Sequence, residues 1–177
     1  MANCRKNIPA FTDLQNCTFE SGRVVALAFV TEEKAAVADA TPSLWSDPSF
    51  WTSETYSGDI LIHDKVSGSY TDSPTTVTGK GTQTERNSGS THTVTTRIES
   101  VKGNSDYWSN LKISENYRVV WVGDNYDILF VSQTNCRITP SLIQEDDLNS
   151  ILEYEVVCVY SDINVPETYD VPTGIFN

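Results

Sequence analysis

Two histidines, His63 and His92, are the side chains best suited to proton transfer or metal binding near neutral pH, and neither has a second ligand at metal spacing. Both fall in stretches that read as strands, so we expect satisfied surface or core histidines. Cys4, Cys17, Cys136 and Cys158 lie too far apart for a zinc ribbon or a Cys-x-x-Cys redox pair, and no His stands beside them to activate a thiolate. We expect reduced core or edge thiols made in a cytoplasm, with a Cys4–Cys17 bridge left open for an oxidising final home. Glu145-Asp146-Asp147 lacks the alternating oxygen ligands and turn glycine of a calcium loop and reads as a solvated acidic turn. Gly79-Lys80-Gly81 lacks the rest of a phosphate loop and the helix start that would follow it. There is no Gly-x-Ser-x-Gly, and Glu153 and Glu155 share one face of a half-exposed strand, which needs no catalytic explanation. Asn16-Cys17-Thr18 fits a glycosylation pattern, which we read as chance. We therefore expect no enzyme, no metal and no cofactor.

The scaffold around these residues reads as β-rich. Apolar residues make up 38% of the 177 and charged ones 20%, with Ser and Thr filling much of the rest. That length suits one core, so a single domain is expected. A net charge of -12 argues against non-specific nucleic-acid binding, which needs clustered Lys and Arg, and suits a surface that repels DNA. The basic start of the sequence is not followed by the apolar run of a secretory leader, and the longest apolar stretch, Val24 to Val30, has the length of a strand rather than of a membrane span. We expect neither a signal segment nor a membrane segment.

Residues 1–22 read as an N-terminal arm, and residues 23–162 as one β-sandwich domain. Arg23 to Thr31 is a β-branched, apolar first strand suited to burial on both faces. Residues 32–56 form an aromatic insertion: a helical turn from Glu32 to Ala40, then Thr41-Pro42 and Asp47-Pro48 starting short helices that carry Trp45, Phe50 and Trp51. These aromatics plug the core or a seam between subunits. Asp59 to Val66 is a second strand. In the 30 residues from Ser67 to Thr96, fifteen are Ser or Thr and four are charged. Such a stretch has no core of its own and is either a flexible loop or a long β-hairpin arm; ordering it costs on the order of 30 kcal/mol at about 1 kcal/mol per residue, so we favour for residues 67–91 a protruding hairpin arm fixed by a neighbouring subunit over a mobile loop. His92, Val94, Thr96 and Ile98 share one strand face. Asn104 to Lys112 is a helix with Trp108 and Leu111 aligned. Tyr117 to Val122 and Asp127 to Ser132 form a hairpin, Cys136 to Thr139 is a short strand with a turn starting at Pro140, and Leu152 to Tyr160 is the last strand. Residues 163–177 read as a C-terminal tail whose Ile175-Phe176 docks rather than waves in solvent.

This order of strand, Thr-rich arm, strand, Trp-bearing helix, hairpin and final strand resembles the tail-tube fold of tailed bacteriophages. The residues carrying the resemblance are Gly79-Lys80-Gly81-Thr82, His92-Thr93-Val94-Thr95, the helix around Trp108, Tyr154 to Asp162, and Tyr169 to Phe176. They are similar to virion proteins of phages infecting Bacteroidetes, including the crAss-like group. The match covers residues 57–177; residues 1–56 add an arm and an insertion without a common tail-tube counterpart, so a neck ring or tail-ring adaptor fits as well as the tube.

The resemblance implies a mainly β, tail-tube-like antiparallel sandwich or barrel with one short flanking helix and a long hairpin arm. It further implies a homo-oligomeric ring of six or twelve copies that contacts other tail, neck or portal proteins and passes DNA through its lumen without specific binding. The protein would be synthesised in the host cytoplasm and reside in the virion. Its expected assembly interface is Trp45, Trp51, Tyr70, Val77, Lys80, Arg86, Ile175 and Phe176. The rival reading is an immunoglobulin-like binding module that displays Trp45, Trp51 or Tyr70 to glycans.

Overall fold

The structure, a computed structural model, describes residues 23–53, 58–78, 86–99, 101–144 and 152–176. Its elements run β1 (Arg23–Thr31), α1 (Glu32–Ala40), a 3-10 turn (Pro42–Ser46), α2 (Pro48–Ser53), β2 (Ile60–His63), β3 (Ser67–Val77), β4 (Arg86–Ile98), α3 (Ser105–Ile113), β5 (Tyr117–Gly123), β6 (Ile128–Val131), β7 (Arg137–Ile143), β8 (Glu153–Asp162) and β9 (Glu167–Asp170). The strands form one antiparallel, nine-stranded sheet in the order β7-β8-β4-β3-β1-β5-β6-β9, with β2 beside β1. The chain is mainly β and sandwich-like, as its composition and alternation predict.

β1 is the axis of the fold. Its two sets of side chains enter two separate cores, which explains a run that is apolar at every position. Leu27 and Phe29 join Val94 and Ile98 of β4, Val119 and Trp121 of β5, Ile138 of β7 and Val156, Cys158 and Tyr160 of β8. Strands distant in the sheet order meet in that core, so the sheet curls over itself, and Trp108 and Leu111 of α3 close the open end. The segment between β6 and β7 seals the curl: Ser132 N–H donates to the Val119 carbonyl at 3.0 Å and Cys136 N–H to the Tyr117 carbonyl at 2.9 Å.

On the opposite face Ala26, Ala28, Val30, Val120, Val122, Leu129 and Val131 are roofed by α1, the 3-10 turn and α2. A register shift between Val24 and Ala26 turns Val25 to this face as well. The alanines leave room for Trp45, Phe50 and Trp51. Trp51 Nε1–H donates to the Trp45 carbonyl at 2.9 Å, and its ring meets Phe176 edge-on at 5.1 Å. Arg118 of β5 clamps the roof to the sheet. Its Nε and Nη2 donate to the two carboxylate oxygens of Glu32 at 2.7 Å, and Nη1 donates to Asp39 at 2.6 Å. The Arg118 hydrogen bonds hold the Glu32 carboxyl below its ordinary range, against the opposing effect of burial.

The short helices expected within residues 32–56 are present as α1, the 3-10 turn and α2, and they form a layer over the apolar face of β1 and β5. Three expectations need correction. Residues 163–177 dock through Ile175 and Phe176 as expected, but they do more than a tail: β9 pairs with β6, and Ser46 Oγ–H donates to the Asp170 carbonyl at 2.9 Å. Pro140 lies inside β7 rather than starting a turn, which a strand paired on one side tolerates. The arm of residues 67–91 is only partly an arm. Ser67 to Ser73 pair with Arg97 to Thr91 inside the sheet, and the hairpin leaves it only past the last β4–β8 pair, Ser90 with Asp162. The 1–22 arm, Cys4, Cys17 and the Glu145 to Asp147 turn lie outside the described residues.

Candidate functional site

The β3–β4 hairpin is the element that departs most from an ordinary sandwich strand pair. Its side chains from Thr71 to Thr78 are all exposed, and among the described residues no apolar face holds it down. It is anchored instead at its root by a ladder of stacked rings across five strands. Tyr160 of β8 stacks on His92 of β4 at 4.7 Å, His92 on Tyr70 of β3 at 6.0 Å, Tyr70 on Trp121 of β5 at 5.1 Å, and Trp121 on Phe130 of β6 at 5.5 Å. His92 is fully buried and its Nδ1 shares a 2.7 Å hydrogen bond with the Tyr70 hydroxyl. Burial, helped by the charge of Asp72, pushes the Tyr70 hydroxyl up to about 12, so it stays protonated and bonded at any physiological pH. Beyond this ladder the pairs Thr75 with Gly89, Thr76 with Asn87 and Val77 with Arg86 extend past the end of β8, with a register shift between Thr75 and Thr76. Val77 is 55% exposed there, an apolar side chain on an otherwise polar projection.

At the opposite end of β4 lies a groove of about 590 Å³. One wall is β2 with Asp64 and Lys65, the other is Asn104, Tyr107 and Trp108 at the start of α3, and Ile98 and Glu99 close the end. His63 sits on this wall. Its Nε2 shares a 2.9 Å hydrogen bond with the Tyr107 hydroxyl, and its ring stacks on Trp108 at 5.3 Å and meets Phe29 edge-on at 6.1 Å. Burial lowers the His63 pKa to about 4, an effect that the charge of Asp64 only partly opposes. The imidazole is therefore neutral at pH 7 and is a packing group. Burial likewise raises Tyr107. Among the described residues no three His, Cys, Asp or Glu side chains are grouped to hold a metal ion. Cys136 and Cys158 are buried, and burial, together with its neighbour Cys136, keeps the Cys158 thiol protonated. Among the described residues no helix is long and apolar enough to cross a membrane.

The eight residues expected at an assembly interface separate into three groups. Trp45, Trp51 and Phe176 are fully buried in their own subunit, which corrects their assignment as partner contacts and removes Trp45 and Trp51 as a glycan platform. Tyr70 and Ile175 are half-buried: Tyr70 belongs to the ring ladder, and Ile175 packs against the roofed core. Val77 is exposed on the hairpin and Arg86 opens β4, while Lys80 and the Arg86 side chain lie outside the described residues. The groove itself was not anticipated from the sequence. Its parts are a four-residue strand, the end of β4 and the first turn of a helix, and only the folded chain brings them together. No family model and no curated protein matches this chain.

Proposed function

We propose that this chain is a non-enzymatic structural protein that assembles with copies of itself, as a ring or tube segment of a phage neck or tail that conducts DNA. The observation that carries the reading is the hairpin beyond Ser90 and Asp162, two paired strands with exposed side chains and no core of their own. A bare hairpin is marginal in water, and a partner surface supplies what it lacks. The charge of -12 suits a wall that does not hold its cargo, and the sequence resemblance to tail-tube proteins is the other support for the reading. The assembly contacts on this reading are Val77, Lys80 and Arg86, with the ring ladder holding the hairpin at its root.

The test is the mass of the purified chain in solution, together with negative-stain imaging, alone and with other virion proteins. Rings or tubes are expected. Replacing residues 76–87 with a two-residue Asn-Gly turn is expected to abolish them while the monomer stays folded by circular dichroism. Monomers under every condition would overturn the reading.

A further inference from the structure

Among the described residues β2 pairs with a strand on one side only, that of β1. Thr31 N–H donates to the Asp59 carbonyl at 2.9 Å, which makes Thr31 and Asp59 a hydrogen-bonded pair and, by alternation, Phe29 with Leu61 and Leu27 with His63 the next ones. The backbone N–H and C=O of Ile62 therefore point away from β1, toward the groove. No strand stands there among the described residues, because β4 ends at Ile98, just past the pair Ser67 with Arg97. The groove is the place a longer β4 would have occupied. A wall of backbone with no partner strand among the described residues, an apolar floor of Ile98 and Trp108, and a polar rim of Asp64, Lys65 and Glu99 together suit an added extended strand.

We propose that the strand Thr75–Thr78 of a second copy fills this groove, pairing with β2 in line with the acceptor's own β4. The inference rests on the assembly reading above and names its contact. Donor and acceptor lie at opposite ends of one strand, β4, whose 13 residues span roughly 40 Å at about 3.3 Å each. Such a contact is head-to-tail and repeats from copy to copy. Charge does not oppose it: residues 67–91 carry Asp72 and Glu85 against Lys80 and Arg86 and are neutral, so in a chain of net charge -12 the hairpin approaches another copy without the repulsion the whole molecule carries. Val77 supplies an apolar side chain for the apolar floor. Pro74 lacks an N–H and so limits the donor to the residues after it. The lateral ends of the sheet are poorer candidates, since β7 contains Pro140 and β9 is four residues long with Glu167 and Asp170 at its ends.

The experiment mixes two variants, Val77→Cys and Asp64→Cys, each in a Cys4→Ser, Cys17→Ser background, and treats them with a short bis-maleimide. A covalent dimer is expected in the mixture and not in either variant alone. Ile62→Pro, which removes an N–H directed away from β1, is expected to cost at least tenfold in cross-linked product when added to the acceptor; Val77→Lys in an otherwise unaltered chain is expected to cost as much in assembled particles and serves where the proline variant does not fold. Rings on the grid without the cross-link overturn this contact and leave the assembly reading standing. Absence of any assembly overturns both. Undiminished cross-linking by a folded Ile62→Pro acceptor overturns the strand pairing.

Discussion

His63 is a base held neutral by its surroundings. Its pKa falls from 6.5 to about 4 on folding because the ring is packed between Trp108, Tyr107 and Phe29. The unfolded chain therefore binds the proton more readily. Stability from this group is complete above about pH 6.5 and is lost as pH falls through 4, with about 3 kcal/mol at stake from a shift of that size. We expect the urea midpoint to fall between pH 7 and pH 4.5, and His63→Gln to flatten that fall while lowering the midpoint at pH 7. An undiminished pH dependence in His63→Gln would show that another group is responsible. Trp51 gives the corresponding packing test. It is fully buried against Trp45, Phe50 and Phe176, so Trp51→Ala is expected to cost about 3–5 kcal/mol in denaturant unfolding. A loss within 0.5 kcal/mol, a level typical of surface sites, would mean that the roof of helices does not carry the core beneath it.

Among the elements, β3 is the one whose place depends on a missing side chain. Gly68 pairs with Val24 of β1 and Thr96 of β4 at once, and a Cβ there would meet the Thr95 carbonyl oxygen at 2.3 Å and Thr96 Cγ2 at 2.7 Å. Gly68→Ala is expected to cost about 1–3 kcal/mol or to detach the hairpin root, read as a lowered urea midpoint with faster exchange of the Ser67 to Ser73 amides. Wild-type midpoint and exchange would contradict so close an approach. β4 and β8 are legible in the sequence because one face of each is apolar or fully buried: His92, Val94, Thr96 and Ile98, and Val156, Cys158 and Tyr160. β3 is not legible as a sheet member, since Tyr70 is its one large side chain facing the core and its order comes from backbone pairing with β4. β9 is hidden for the same reason: Glu-Thr-Tyr-Asp carries no strand pattern, and β6 holds it in place. The aromatics at 45, 50 and 51 announce a packing site in the sequence, but their direction is decided by Ala26 and Ala28, two small residues on a strand before them. The groove leaves no local trace, because what defines it is where β4 stops.

For the molecule as a whole the dominant long-range force between copies is repulsion. At -12 per chain, association is opposed at low ionic strength and screened at a distance of about 8 Å in physiological salt. Assembly driven by backbone pairing and one apolar side chain is therefore expected to strengthen as salt rises from about 0.05 to 0.5 M. Light scattering against salt concentration measures this, and weakening with salt would point to charge attraction as the driving force instead. The central position of β1 has a further consequence, for synthesis. The sheet is built around its first strand, yet β5, which pairs with most of its length, ends at Gly123. At translation speeds of about 5–20 residues per second, the ribosome takes roughly 5 to 20 seconds to make the intervening chain, and although β2 and β3 can cover one edge of Val24 to Val30 in that time, its β5 edge waits outside the exit tunnel open and aggregation-prone. Yield in the cell should therefore depend on holdase chaperones engaging the nascent amino-terminal region, well before any finished subunit meets another.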